Sequence, residues 1–472
     1  MDKRKSRRIV TATLLGCLFS VSASAGGLMT NTNYHIAFDR MMARGASLDI
    51  DAIYSNPAGM AWTHEGWQVS FNWQMPTQNR DIDTYVPNFL GSGQEYRHKY
   101  KGEASAPFVP GLFASYKKDR WAVGAMIGIV GSGGYVRYDE GIPMLNIPVA
   151  GAVTQALAAQ GIPNPQQMFA MDSWMKGKQY IYGAQVVGAY RITDYLSVSA
   201  GLRASYYDGY YRGRVAAVGN DVIKGALGTD QLLAMELDCD QSGWGFSPII
   251  GIDFHMDRLT LAAKYEFRTK LNIPNTTNAL SVTRMGQTTD IKAMAEQMGN
   301  EATIAALAPQ MNGMEKMMAA YLPNTKTRYD MPAMLMVAAG YEFLPNLRAT
   351  VEYHFFDDKN AKMANNRQEH LTHGTHEVLA GIEWDINKIF TVSCGGQRTD
   401  YGLSDEYQQN TSFACDSYSI GLGGAVNVTE KLRINASYFW TMYSDYKQEQ
   451  ATRTDTYSRT NGVFGIGVDY KF

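Results

Sequence analysis

The residues best spaced to bind a metal ion are three histidines in one short polar stretch, His370, His373 and His376. Imidazole nitrogen is a common zinc ligand, but the same spacing also fits an ordinary polar loop. Hydrolytic catalysis needs a base held beside a nucleophile, and no Gly-x-Ser-x-Gly sequence marks a serine nucleophile. We therefore predict no catalytic site, no metal and no other cofactor, and keep an enzyme acting on lipids as the lesser alternative.

The cysteines do not form a complete disulfide framework. Of four, Cys17 lies in the N-terminal leader described below, which leaves an odd number in the rest of the chain. Cys239 and Cys415 lie in predicted loops and could pair. Cys394 lies in a predicted strand, where cysteine serves as a small apolar residue.

Methionines recur at helical spacing late in the chain. Met314, Met317, Met318 and Tyr321 follow the i, i+3, i+4, i+7 pattern of one helix face. Flexible thioether side chains accommodate apolar ligands of varied shape. The pattern predicts a landing site for an apolar molecule, and packing among loop helices is an equal alternative.

The elements that carry these residues are strands with alternating character. Fourteen segments alternate between apolar and polar residues and are separated by tight polar turns or by longer polar loops, which is typical of an up-and-down barrel. The two longest loops are predicted at about 139 to 177 and 273 to 327. The predicted strands are 66–75, 106–117, 120–138, 178–192, 195–216, 242–255, 257–272, 328–343, 346–357, 374–386, 388–400, 416–428, 430–445 and 459–472.

Within these segments the charges share one face. Leu261 and Tyr265 fall on one parity, and Lys264, Glu266 and Arg268 on the other. A charge in the middle of a lipid-facing surface costs about 2 to 4 kcal/mol, so this division predicts lipid on one side and a polar lumen on the other. A soluble β-sandwich alternates in the same way, with its apolar face turned inward.

Three basic residues of the inward face are candidates for binding the carboxylate of a ligand: Arg203, Lys264 and Arg268. Acidic residues share that face, so the alternative is a neutralised network within the lumen. The acidic residues of inward parity are Glu266, Glu352, Glu383 and Asp469.

The two ends of the chain favour export and a membrane barrel. A basic cluster, an apolar stretch and Ala23-Ser24-Ala25 predict a secretory signal peptide at residues 1–25, although Leu14-Leu15-Gly16 before Cys17 also fits a lipoprotein signal. Beyond residue 25 no apolar run approaches the roughly 18 residues of a membrane helix. At the other end apolar and polar residues alternate up to the terminal Phe472, which predicts a final strand that runs to the end of the chain. An unpaired edge strand promotes aggregation, so this strand is expected to pair with the first one and close a barrel. The net charge of -2 argues against a nucleic-acid partner.

Two motifs in the first half carry a resemblance to a known family. The segment before the first strand contains Asn56-Pro57-Ala58, and the segment from Ala106 to Gly111 is followed by a strand with the cluster Gly131-Ser132-Gly133-Gly134. The chain thereby resembles the FadL/TodX family of outer-membrane transporters for long-chain fatty acids and aromatic hydrocarbons. The resemblance implies a hatch at residues 26–65 inside a barrel formed by residues 66–472, with Asn56, Pro57 and Ala58 at its gate.

The resemblance also implies a route for the ligand. Glycines inside a strand permit a kink or bulge, so Gly131, Gly133 and Gly134 are expected to bend the third strand and open the wall laterally. A hydrophobic molecule would bind at the extracellular loops, enter a pocket, displace the hatch and leave through the wall. The implied location is the outer membrane of a Gram-negative-type bacterium, with its lipid, its lipopolysaccharide and the barrel-assembly machinery as partners. A surface receptor or adhesin that uses the long loops is the main alternative.

Overall fold

The computed structural model describes residues 29–30, 33–311 and 318–472. The predicted signal peptide, Cys17, Met314 and Met317 lie outside these ranges. Within them the chain forms one sheet of nineteen strands. The strands are β1 (Gly66–Val86), β2 (Tyr96–Ser105), β3 (Val109–Lys118), β4 (Trp121–Tyr138), β5 (Phe169–Arg191), β6 (Leu196–Gly219), β7 (Gln231–Met256), β8 (Leu259–Glu266), β9 (Asn272–Arg284), β10 (Gln287–Asp290), β11 (Lys326–Arg328), β12 (Met334–Leu344), β13 (Leu347–Phe356), β14 (Thr375–Asp385), β15 (Phe390–Asp400), β16 (Ser417–Asn427), β17 (Leu432–Tyr443), β18 (Tyr446–Glu449) and β19 (Thr454–Lys471).

The sheet closes on itself. The first strand pairs antiparallel with the last, from Gln68 opposite Lys471 to Tyr85 opposite Thr454, so neither leaves a free edge. Three passes across the barrel are each divided into two consecutive strands, namely β2 and β3, β8 and β9, and β11 and β12. Two short strands, β10 and β18, extend the sheet beside β9 and β19 and do not add a pass. The described chain is thus a closed antiparallel barrel of fourteen passes, which confirms the predicted fold class and excludes the sandwich.

The outer surface of the barrel is apolar. Val351 and Val378 are 58% and 59% exposed on neighbouring strands, whereas Glu352, adjacent to Val351, is buried inside. Exposed apolar surface of this extent is stable only against lipid. Aromatic pairs lie at both borders of the band, for example Tyr116 with Trp67 and Tyr206 with Trp244. Among the described residues, no helix is long and apolar enough to cross a membrane.

Several strands are longer than the sequence indicated. β1 continues to Val86, β7 begins at Gln231, and β9 occupies part of the predicted loop 273–327. The expected bounds of β1 and of the loops at 139–177 and 273–327 were therefore wrong. Above the apolar band the outward residues become polar, as at Asp81 and Asp83, and apolar residues such as Ile82 face inward, so the sense of the alternation reverses while the backbone ladder continues.

The described segment before β1 fills the lumen. Residues 33–65, called the hatch below, contain helices α1 (Ile36–Met41) and α2 (Ala52–Ser55) and the 3-10 helix Pro57–Trp62. α1 packs against the inner faces of β14 to β17 and β19. A Cβ at Gly381 or Gly395 would lie 1.9 or 1.8 Å from the carbonyl oxygen of Met41, so only glycine allows this approach.

The loops at the end opposite the tight turns contain helices α3 (Pro143–Ala159), α4 (Asp221–Leu227), α5 (Ile291–Met298) and α6 (Asn300–Met311). Cys239, Cys394 and Cys415 are all free thiols, so the pairing considered for Cys239 and Cys415 does not occur. Cys394 is exposed on the apolar outer face.

Candidate functional site

The Asn56-Pro57-Ala58 motif anchors the hatch to the barrel wall. The Asn56 side chain accepts a hydrogen bond from the Gly59 amide at 3.3 Å and so caps the 3-10 helix that begins at Pro57. Its amide nitrogen donates to Asp253 on β7 at 2.6 Å, and Ser197 on β6 donates to the Ala58 carbonyl at 2.8 Å. The motif is therefore a turn and a wall contact at once. A gating role for these three residues stays a prediction.

Other polar contacts hold the hatch to the wall. The Gly45 amide donates to Glu352 on β13 at 2.6 Å, and Lys264 on β8 donates to the Tyr54 carbonyl at 2.8 Å. Arg40 of α1 pairs with buried Glu383 on β14. Arg40 thus compensates the buried charge of Glu383, whereas the charges of Lys264 and Glu352 have partners within the wall at Glu266 and His354.

The glycine-rich strand β4 is distorted at mid-height. It pairs with β3 from Lys118 opposite Trp121 to Gly111 opposite Gly128, and with β2 only from Gly102 opposite Tyr138 to Ala104 opposite Val136. Its residues 129–135 form no ladder with either strand. The register against β5 shifts twice over the same residues, between Ile129 and Gly131 and between Ser132 and Gly134.

Gly134 lies at the second shift. Its φ of +73° is a conformation that L side chains rarely adopt. Its amide donates to the Ser132 hydroxyl at 2.8 Å, and that hydroxyl donates to the Gln179 carbonyl at 3.2 Å. These bonds hold the bend that leaves the neighbouring ladder open.

The opposite edge of the opening is the break between β2 and β3. Pro107 has no amide hydrogen to donate and lies in this break. Phe108 is 56% exposed, with its ring 5.9 Å from that of Trp73, whose indole donates to the Pro107 carbonyl at 3.0 Å. Aromatic groups thus flank the opening on its outer side.

A cavity lies directly behind this opening, and its empty space, which includes a part open to solvent, is about 910 Å³. Its outer boundary includes Ser132, Gly133 and Gly134 of β4 together with Ala106 and Val109. Gly131 lies at the adjacent bulge, opposite Ile181 of β5. Asp39 of the hatch, facing residues of β1 and β19, and Phe439 and Tyr443 of β17 also line it. We call this space the gate cavity.

Two arginines face each other in the gate cavity. Arg80 of β1 is directly opposite Arg459 of β19, and both donate to the Gln78 side chain. Arg459 also lies over the Tyr443 ring at 4.7 Å. In the part of the chain that the structure describes, neither arginine pairs with a carboxylate. Sequence alone does not distinguish these two arginines from other polar residues of the strands, because only the closure of the barrel brings them together.

The three predicted basic residues lie elsewhere and have partners. Arg203 makes a two-pronged pair with Glu266 at 2.6 and 3.0 Å, and Lys264 lies 2.9 Å from the same carboxylate. Arg268 lies 3.7 Å from Asp330 in its nearest ion pair. These ion pairs agree with the alternative that basic and acidic residues neutralise one another within the lumen. A role of the three basic residues in binding a ligand carboxylate stays a prediction.

A second cavity lies among the loop helices and the ends of β6 and β7. Its empty space, which includes a part open to solvent, is about 580 Å³, and its lining includes Met318 and Tyr321 with Met235, Leu237 and Leu280. Met318 and Tyr321 are 4% and 3% exposed, so they face this space and their neighbours rather than solvent. We call it the loop cavity.

The histidines do not gather into one site. His373 and His376 have ring centres 5.1 Å apart, and His376 shares a hydrogen bond with Tyr353 at 2.7 Å. His370 instead borders a separate polar cavity beside Arg367 and Gln409. Within the described ranges no three histidine, cysteine or acidic side chains come together as metal ligands.

Comparison with known proteins gives likeness in structure only. No family model matches the chain, and no curated protein matches it in sequence. A FadL homologue of Pseudomonas aeruginosa superposes with a TM-score of 0.64 at 15% identity, over 95% of this chain and 100% of that one. The toluene transporters TodX of Pseudomonas putida and TbuX of Ralstonia pickettii give 0.55 and 0.52 at 13% identity, each over 90% of this chain and 94% of theirs. A closed fourteen-pass barrel with a helical hatch, a distorted third pass and these structural neighbours together show that the chain has the FadL/TodX fold.

Proposed function

We propose that the protein transports hydrophobic small molecules across the outer membrane of a Gram-negative-type bacterium. The observation that carries the proposal is a gate cavity that reaches an unpaired section of the barrel wall. The apolar outer band supports a place in lipid, and the structural neighbours include transporters of toluene. These structural neighbours are transporters rather than enzymes, which supports a non-enzymatic role.

The ligand is first captured at the loop cavity. Its lining is mainly apolar, with Arg212, Arg214 and Glu236 also bordering it, and includes the flexible side chains of Met235 and Met318. Such a surface retains an alkyl chain or a ring without selecting one shape. Lipopolysaccharide and outer-membrane lipid surround this end of the barrel in the proposed location.

The ligand then occupies the gate cavity. Arg80 and Arg459 lie there without carboxylate partners in the described chain, and two adjacent half-buried cations favour an anion between them. This arrangement favours long-chain fatty acids or similar amphiphiles over uncharged hydrocarbons. The hatch forms the floor, so passage toward the tight-turn end requires it to move, with Asn56, Pro57 and Ala58 at the contact that breaks.

Release is lateral in this proposal. Residues 129–135 of β4 form no ladder on the side that faces β2 and β3, and the gate cavity lies behind this gap. An apolar chain can pass there into the membrane without crossing water. Biogenesis through the barrel-assembly machinery is consistent with the terminal strand, whose Tyr470 and Phe472 rings lie 4.9 Å apart.

The test is Gly134→Val. A valine has open space at this position but is strained at a φ of +73°, so the bend should relax toward a regular strand. Gly133 is less suitable because its added Cβ would lie 2.5 Å from the Gln179 amide oxygen. Gly188→Val on β5 is the matched control, since that glycine is on the outer face and has no positive φ.

We expect Gly134→Val to lower uptake of a fluorescent long-chain fatty acid at least several-fold in cells that lack other routes. Heat-modifiable gel mobility should show normally folded barrels for both variants. Unchanged uptake by a folded Gly134→Val protein would refute lateral release.

A further inference from the structure

The floor of the gate cavity carries a carboxyl group with an unsatisfied oxygen. Asp39 of α1 is 1% exposed and lines the cavity. Its Oδ2 atom has no hydrogen-bond partner among the described residues. Burial raises the pKa of Asp39 well above its usual value, which favours the protonated form that can donate a hydrogen bond.

The cavity runs along the seam between the first and last strands. Its facing pairs descend from Arg80 opposite Arg459, through Gln78 opposite Asn461 and Pro76 opposite Val463, to Gln74 opposite Gly465. A Cβ at Gly465 would lie 3.2 Å from the Asp39 Oδ2 atom, which places the acid beside the lower end. Six residues of strand separate the two ends, about 20 Å at the rise of an antiparallel strand. An extended hexadecanoate chain spans such a length.

Both ends are polar and only partly satisfied. At the upper end the Arg459 Nε atom is buried without a partner in the described chain. Between the ends, Asn461 is 8% exposed and lines the cavity. An unsubstituted fatty acid would bind the arginines through its carboxylate, but its alkyl chain would leave the Asp39 Oδ2 atom without a hydrogen-bond partner. A missing hydrogen bond is costly for a buried polar group.

Resting on the proposed function, we propose that the gate cavity is selective for long-chain carboxylates that carry a hydroxyl or keto oxygen at the far end. The carboxylate binds between Arg80 and Arg459. The distal oxygen accepts a hydrogen bond from the Asp39 carboxyl. The apolar methylene chain lies along Pro76 and Val463 between them.

The experiment compares two ligands of equal length on the purified full-length protein in nanodiscs. ω-Hydroxyhexadecanoate and heptadecanoate differ only by a terminal hydroxyl in place of a methyl group. We expect the hydroxy acid to bind about tenfold more tightly by calorimetry, the size of one added buried hydrogen bond. Equal or weaker binding of the hydroxy acid would overturn the selectivity and leave the transport proposal standing. Failure of both acids to bind would count against the proposed function itself.

Variants assign the effect to its residue. In Asp39→Leu the ratio of the two dissociation constants should fall to about one, while Asp39→Asn, which keeps a donor, should retain the preference. Arg80→Gln should weaken both acids by a similar factor and leave their ratio intact. Asp49→Asn is the matched control, because Asp49 is a hatch carboxylate that is 55% exposed and outside the gate cavity. A preference that survives in folded Asp39→Leu would refute the assignment.

Discussion

Replacing Asn56 by alanine tests how firmly the hatch is fixed to the wall. The substitution removes the cap on the Gly59 amide and the 2.6 Å hydrogen bond to Asp253, a residue with no exposed surface. Loss of a cap costs about 1 kcal/mol and loss of a hydrogen bond to a charged acceptor about 1.5 to 3 kcal/mol. The sum of about 3 kcal/mol corresponds to a rise of about a hundredfold in the equilibrium constant for local opening.

Hydrogen exchange measured by mass spectrometry on peptides from residues 47–62 reports this opening directly. Asp253→Asn is the control, because the Asn56 amide can still donate to the new side-chain oxygen, and we expect a change below about tenfold. Conductance in planar bilayers should rise for Asn56→Ala if the loosened hatch leaves the lumen. Exchange within threefold of the original protein, or an equal rise in both variants, would show that this contact does not hold the hatch.

Two further predictions concern groups outside the ligand route. Arg203→Met leaves Glu266, which is 2% exposed, with Lys264 as its remaining ion-pair partner, and should lower stability by about 3 to 5 kcal/mol, seen as a lower midpoint in heat-modified gel mobility. Arg203→Lys should lower the stability less, because it keeps a positive charge beside Glu266. Equal unfolding midpoints for the original protein and both variants would show that the Arg203–Glu266 pair does not stabilise the barrel. Burial raises the pKa of Asp358, in the loop after β13, to about 6, above its unfolded value, so its stabilising contribution is complete below pH 4 and is lost as pH rises through 6. Resistance of this loop to proteolysis should therefore fall over that range, and Asp358→Asn should remove the dependence.

The barrel was predictable because alternation is a local signal. Lys264 and Glu266 are buried and Leu261 and Tyr265 are exposed, as their parity indicated, because each strand has lipid on one side only. The predicted neutralisation of Arg203 by an inward acid is also confirmed at Glu266. The upper parts of the long strands were missed, since their outward residues are polar there and their inward residues, such as Ile82 and Tyr100, are buried under the loops.

The residues that line the gate cavity could not be predicted from sequence in the same way. Arg80 meets Arg459 only through closure of the first strand on the last, and no local pattern encodes that register. The sequence around Asp39 does not indicate that this carboxyl is buried, because its burial arises only when α1 packs inside the barrel. By contrast the glycine cluster of β4 was visible, because glycine in a strand signals a bend wherever the partner lies.

The glycine floor under α1 also constrains the order in which the molecule folds. The hatch precedes every strand in the chain, yet α1 rests on β14 to β17 and β19, which are the last to be made. Gly381 and Gly395 fit the α1 backbone so closely that its docking surface exists only once β14 and β15 lie side by side. Since α1 also contacts both β1 and β19, we expect its docking and the sealing of β1 against β19 to be coupled steps of folding.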